Sequence, residues 1–230
     1  MASPLIVATT PTPKSTSSTS VLALTGSPQD GEGVLIFVSW DGGTGEVTFT
    51  DEHIRLYSLN DVDGYAGGAA AYKQAGVSES STTTINCSVS TRFAVICFRV
   101  SGDLNFSTHP PDFGTVINEG NTVTHNPPSV PVTGGSADIL TFATCAYDTY
   151  TPTVSSYPNL YTGTGTVQSG ASGAQCSMAY CSRSLTAASA DPLDYTLSAT
   201  RRAVNSTVII QEAAAASLPA GSLGLLGMGK

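Results

Sequence analysis

The sequence predicts an all-β protein, an antiparallel β-sandwich of jelly-roll-like kind, and three observations lead there. Ser and Thr make up about a quarter of the 230 residues, beside 23 Gly and 13 Pro, a balance that favours strands and turns over helices. Apolar residues come in short runs bounded by Gly, Pro, Asp and Asn, the spacing of a sandwich or barrel. The same order of runs also occurs twice along the chain, which predicts two pseudo-repeated halves.

The elements follow in order. Residues 1–19 open with Leu5-Ile6-Val7-Ala8 and continue through two prolines and a run of hydroxyls, which predicts an extended N-terminal arm. The first half, 20–101, has strand candidates at Ser20–Leu24, Val34–Ser39, Glu46–Phe49, Ile54–Tyr57, Ala69–Gln74, Thr82–Val89 and Phe93–Val100. Residues 102–135 contain His109-Pro-Pro111, Asn126-Pro-Pro128 and Gly134-Gly135, and read as a long surface crossing. The second half, 136–211, has candidates at Asp138–Cys145, Gln175–Ser182, Leu193–Ser198 and Val204–Gln211. Two readings stand for residues 20–211: one sandwich built from both halves, or two small domains. The tail, 212–230, holds a run of four alanines at 213–216, Pro219, and then Leu223, Leu225, Leu226 and Met228 among glycines. Such a terminus either frays or orders against a neighbour.

Composition narrows the function. With 17 acidic against 9 basic residues, the chain carries a formal charge of -8, the wrong sign for neutralising phosphates, so no nucleic-acid partner is expected. No apolar run nears the roughly 18 residues of a membrane span, and the first 14 residues lack the pattern of a signal peptide, so the expectation is a soluble protein that folds where it is made. The five cysteines, Cys87, Cys97, Cys145, Cys176 and Cys181, lack zinc-site spacing and read as reduced, buried side chains. No catalytic residue, metal or cofactor is assigned. Ser169-Gly-Ala-Ser-Gly173 departs from a nucleophile elbow, no helix start follows the glycine loops, and a calcium loop centred on Gly64 would have Leu59 and Ala70 at its anchoring positions. One aromatic cluster is a candidate glycan or partner loop: Tyr147, Asp148, Tyr150, Tyr157, Asn159 and Tyr161, against the alternative that its rings cover the end of the sandwich.

The progression Gly31-Glu-Gly-Val-Leu-Ile-Phe-Val38 with Trp-Asp-Gly-Gly43, Ala71-Tyr-Lys-Gln-Ala-Gly-Val-Ser-Glu79 before a Thr-rich strand, then Asn126-Pro-Pro128 with Gly135-Ser-Ala-Asp-Ile-Leu140, and Tyr157-Pro158 resembles a β-sandwich module of tailed-bacteriophage virion proteins. The resemblance covers residues 20–211 and rests on strand and turn patterns. It implies a non-enzymatic virion structural protein assembled in the host cytoplasm. The first implied role is a capsid decoration or cement protein, present as a homo-oligomer or in high copy and binding other virion proteins, the major capsid protein first among them. The alternative is a tail or fibre module that recognises a host-surface glycan through the tyrosine loop. For the first role the expected partner-binding residues are Leu5, Ile6 and Val7 in one arm and Leu223, Leu225, Leu226 and Met228 in the other.

Overall fold

The computed structural model describes residues 2–24, 26–41, 45–60, 64–149, 153–170 and 175–213. Tyr150, Leu223, Leu225, Leu226 and Met228 therefore lie outside the described residues. All the described regular structure is β. The strands are β1 (Leu5–Ala23), β2 (Gly33–Asp41), β3 (Val47–Phe49), β4 (Ile54–Asn60), β5 (Ala66–Gln74), β6 (Thr82–Ser101), β7 (Asp112–His125), β8 (Val130–Pro131), β9 (Ala137–Tyr147), β10 (Val154–Ser156), β11 (Thr162–Gln168), β12 (Ser177–Ala187), β13 (Ser189–Ala190) and β14 (Tyr195–Gln211).

They form two six-stranded antiparallel sheets and one small pair, β8 with β13. The first sheet runs β1-β6-β2-β5-β4, with β3 also paired to β6. The second runs β10-β14-β9-β12-β11, with β7 also paired to β14. Replace β1, β2, β3, β4, β5 and β6 by β7, β9, β10, β11, β12 and β14, and every partnership of the first sheet becomes one of the second.

Burial explains which runs were readable. Strand β2 is apolar on both faces because both faces are covered. Its Leu35 and Phe37 join a core shared with Leu140, Phe142, Val204 and Val208 of the second sheet. Val34, Ile36, Val38 and Trp40 point the other way, into a separate core closed by Leu22, Val47 and Ile85. The shared core makes the two sheets one sandwich. At its centre the Phe98 and Phe142 rings lie 4.7 Å apart between centroids, and Phe37 is 6.1 Å from each.

Each sheet covers its own outer face by bending its longest strand. The sequence suggests two strands over 82–100 and two over 193–211, but each stretch is one continuous strand. Pairing of β1 with β6 shifts register between Lys14 and Thr19, where the ribbon turns so that Ile85 and Cys87 reach the outer core. Pairing of β14 with β7 shifts between Thr196 and Ala203, and Tyr195 and Leu197 come to lie over Ala143 and Cys145. Gly67 shows how tightly the first cover fits, since a Cβ there would lie 2.0 Å from Trp40 Cε2.

Two boundaries differ from expectation. The stretch read as an arm over 1–19 holds most of β1, an edge strand paired with β6 from Leu5 onward. Proline is tolerated there because the outward side of an edge strand needs no donor. The stretch read as a surface crossing, 102–135, contains β7, whose Thr115-Val-Ile and Thr122-Val-Thr supply the β-branched residues of a strand.

Candidate interaction surface at the sheet junctions

The two sheets meet at their edges in two places, where β4 touches β7 and where β1 touches β11. The partner substitution given above converts one junction into the other. Their chemistry differs.

The β4–β7 junction is closed. The Tyr57 ring stacks on Phe113 with 6.3 Å between centroids, and its hydroxyl donates to Ser206 Oγ at 2.7 Å. Ser206 also shares a 2.7 Å hydrogen bond with Thr144 Oγ1. Burial pushes the Tyr57 hydroxyl up to about 12, outweighing the two hydroxyl contacts that pull the other way.

The β1–β11 junction is open. A groove of about 320 Å³ runs between Leu5 and Ile6 on one wall and Thr162 and Ser184 on the other, with Phe98 and Leu140 between them. Leu5 is 61% exposed and Val7 46%. The register of β1 slips between Ile6 and Ala8, so Val7 sits on a bulge, a device that re-aims a side chain at a sheet edge. Further along β1, Pro11, Pro13 and Lys14 are the residues that discourage strand addition, whereas Leu5–Thr10 has no such guard.

The groove has an anchored head. The Ala2 amide donates to Asp103 Oδ2 at 2.8 Å, and Ser3 Oγ donates to Asp138 Oδ2 at 2.9 Å. Hydroxyls of Thr186 and Ser3 hold the Asp138 carboxyl below the usual carboxylate range. A second hollow of about 210 Å³, lined by Ser3, Asp138 and Leu185, shares Ser184 with the groove.

The described residues of the tyrosine loop are 147–149 and 153–161, with Tyr150 outside them. Tyr147 and Tyr161 are buried in the outer core of the second sheet beside Tyr195, so neither ring offers a free face. Tyr157 packs edge-on against Tyr195 at 5.8 Å and hydrogen-bonds Thr166 Oγ1 at 3.1 Å. Asp148 is partly buried, and Asn159 is exposed with its Oδ1 taken by the Leu160 amide at 2.9 Å. Among its described residues the loop presents one large apolar side chain, Leu160, 66% exposed and at φ 68°, which the sequence reading missed because nothing in its neighbours marks a left-handed leucine.

The other reactive groups are inside. All five cysteines are free and buried, and burial pushes Cys97, Cys176 and Cys181 up to about 12. Cys176 Sγ reaches across the shared core to the Ser39 and Arg92 carbonyls, 3.3 Å from each. Among the described residues no three His, Cys, Asp or Glu side chains gather as metal ligands would. Comparison of the chain with protein-family models, with curated proteins and with solved structures finds no match in any of the three.

Proposed function

We propose that this chain is a non-enzymatic structural protein of a tailed-phage particle, a decoration or cement protein that docks on neighbouring capsid subunits through the start of β1. The observation that carries the reading is the unguarded edge Leu5–Thr10. It combines the outer side of an edge strand with exposed Leu5 and a Val7 turned outward by a bulge, the materials of strand addition and apolar contact. The phage setting comes from the sequence resemblance; the edge explains how such a module could attach without an active site. Low charge and a Ser/Thr-rich surface suit a protein repeated many times on one shell.

Quantitative mass spectrometry of purified particles tests the reading. The expected result is a copy number on the order of hundreds, together with about a tenfold drop in incorporation for Val7→Asp at unchanged melting temperature. Absence from the particle, or a copy number in the tens or below, overturns the decoration role. Full incorporation of the Val7→Asp protein overturns β1 as the docking edge.

A further inference from the structure

A hollow of about 260 Å³ lies on the β4 side of the first sheet, the side away from β1, where the start of β4 and the end of β5 meet the loop before β7. Much of its lining is apolar. Tyr72 and Phe106 meet there edge to face with 5.4 Å between centroids, and Ile54, 56% exposed, stands beside them. Gln74 fixes the shape by pinning the loop to β5. Its Nε2 donates to the Leu104 carbonyl at 2.8 Å, and its Oε1 accepts from the Phe106 amide at 3.0 Å.

Two polar groups of this lining have no protein partner among the described residues. Tyr72 is only 6% exposed, yet its hydroxyl makes no hydrogen bond, and burial raises it with no neighbour pulling the other way. The Glu52 carboxylate makes no hydrogen bond or ion pair either. Glu52 is held at φ 62°, directly after Asp51 at φ 60°, in a two-residue turn closed by the His53 amide on the Thr50 carbonyl. Such a turn favours glycine at its second position, so a glutamate there is set in a strained backbone.

Size and charge select the occupant. The hollow is smaller than the roughly 300–1,000 Å³ of pockets that take drug-sized ligands, and suits a single side chain. Tyr72 and Phe106 are both more than nine-tenths buried, so neither ring offers the open face on which a sugar would stack. Lys73, the cation of the lining, is committed to Glu79 at 2.9 Å and is not available to an anion. Burial lowers His53 below its ordinary 6.5 and leaves it neutral at pH 7, so Glu52 sets the sign of the site. An apolar stem ending in a forked cation matches this lining, and the formal charge of -8 suits a basic partner.

We infer that the hollow takes an arginine side chain of a partner protein, the guanidinium donating to the Glu52 carboxylate and the Tyr72 hydroxyl oxygen while the stem lies against Ile54 and Phe106. This contact is separate from the β1 edge and does not rest on the particle reading, because it is measured on the isolated protein.

Titration of the isotope-labelled full chain with acetyl-arginine-amide, followed by amide chemical shifts, tests it. The expected shifts are confined to residues 52–54, 72–74 and 106–107, with a Kd on the order of 1–10 mM. The neutral isostere acetyl-citrulline-amide produces none. Glu52→Gln weakens binding about fivefold and Tyr72→Phe about threefold, while Asp191→Asn, which removes an exposed carboxylate from the second half, leaves it unchanged. Glu52→Gly, which suits the turn, abolishes the shifts without lowering the melting temperature, so a loss of binding is not a loss of fold. Equal binding of the citrulline compound, shifts confined to another place, or unchanged affinity in Glu52→Gln overturns the inference. Free arginine binding about fivefold tighter than the blocked form overturns the protein partner in favour of the amino acid itself.

Discussion

The β4–β7 and β1–β11 junctions occupy corresponding places in two sheets with the same strand partnerships, yet one is sealed and the other is a groove. The sealed junction has Tyr57 stacked on Phe113 and bonded to Ser206. The open one puts Leu5 and Ile6 opposite Thr162 and Ser184, with Phe98 at the floor and no aromatic pair joining the two edges. The difference teaches that strand order sets where sheet edges meet, and that a few side chains decide whether a meeting point contributes to stability or stays available for contact.

The largest expected effect lies between the junctions, where both sheets share Phe142. Phe142→Ala removes a ring that contacts Phe37 and Phe98, and should cost about 3–5 kcal/mol. Because that core is common to both sheets, fluorescence of Trp40 in the outer core of the first sheet and near-ultraviolet dichroism of Tyr147 and Tyr195 in that of the second should report one shared, lowered transition. Two separated transitions in the parent protein would show that the sheets are independent and that the junctions have no common frame.

A direct contrast follows. Tyr57→Phe keeps the stack but loses the donor to Ser206, and urea denaturation should show a loss of about 1 kcal/mol. Leu5→Ser on the open side should fall within about 0.5 kcal/mol of the parent, since Leu5 already faces water over most of its surface. Equal losses would mean that the groove contributes to stability as much as the sealed junction does.

The smallest effect is a dependence on pH set by two buried histidines. His53 directly precedes β4 and His125 ends β7, and burial lowers both below their ordinary value of 6.5. Between the lowered value and 6.5 the unfolded chain binds more protons than the folded one, so stability is complete above pH 6.5 and declines as pH falls below it. His125→Gln should flatten that decline. Hydrogen exchange at falling pH should loosen the start of β4 and the end of β7 before β1 and β11; the opposite order would separate the histidines from the decline.

What could be read from the sequence follows the same division between inside and edge. The centres of β2, β6, β9 and β14 were legible because strands buried on both faces need continuous apolar runs such as Val34–Val38 and Thr207–Ile210. The edges were not. The proline-bearing start of β1 reads as an arm, and Gly163-Thr-Gly165 reads as a hairpin turn although it lies within β11. There Gly165 is needed because a Cβ would lie 2.3 Å from the Tyr180 hydroxyl. An edge strand has one partner and one wet side, so hydroxyls, glycine and proline satisfy it and leave no periodic trace. Of the candidate site, Leu5 and Val7 were legible as apolar residues without a place in the repeated pattern. The groove was not, because its far wall comes from residues more than 150 positions away.

The pairing of β1 with β6 has a consequence for synthesis. Leu5 pairs with Ser101 and Ala23 with Thr82, so the first strand to be made finds its partner only after the sixth has emerged. At about 5–20 residues per second, the unguarded Leu5–Thr10 edge waits on the order of 5–19 s for its partners at the end of β6 to be made. During that interval it is an apolar segment without its partner strand. The Pro11-Thr-Pro-Lys14 segment directly behind it then acts as a kinetic safeguard, limiting how far any premature pairing can propagate.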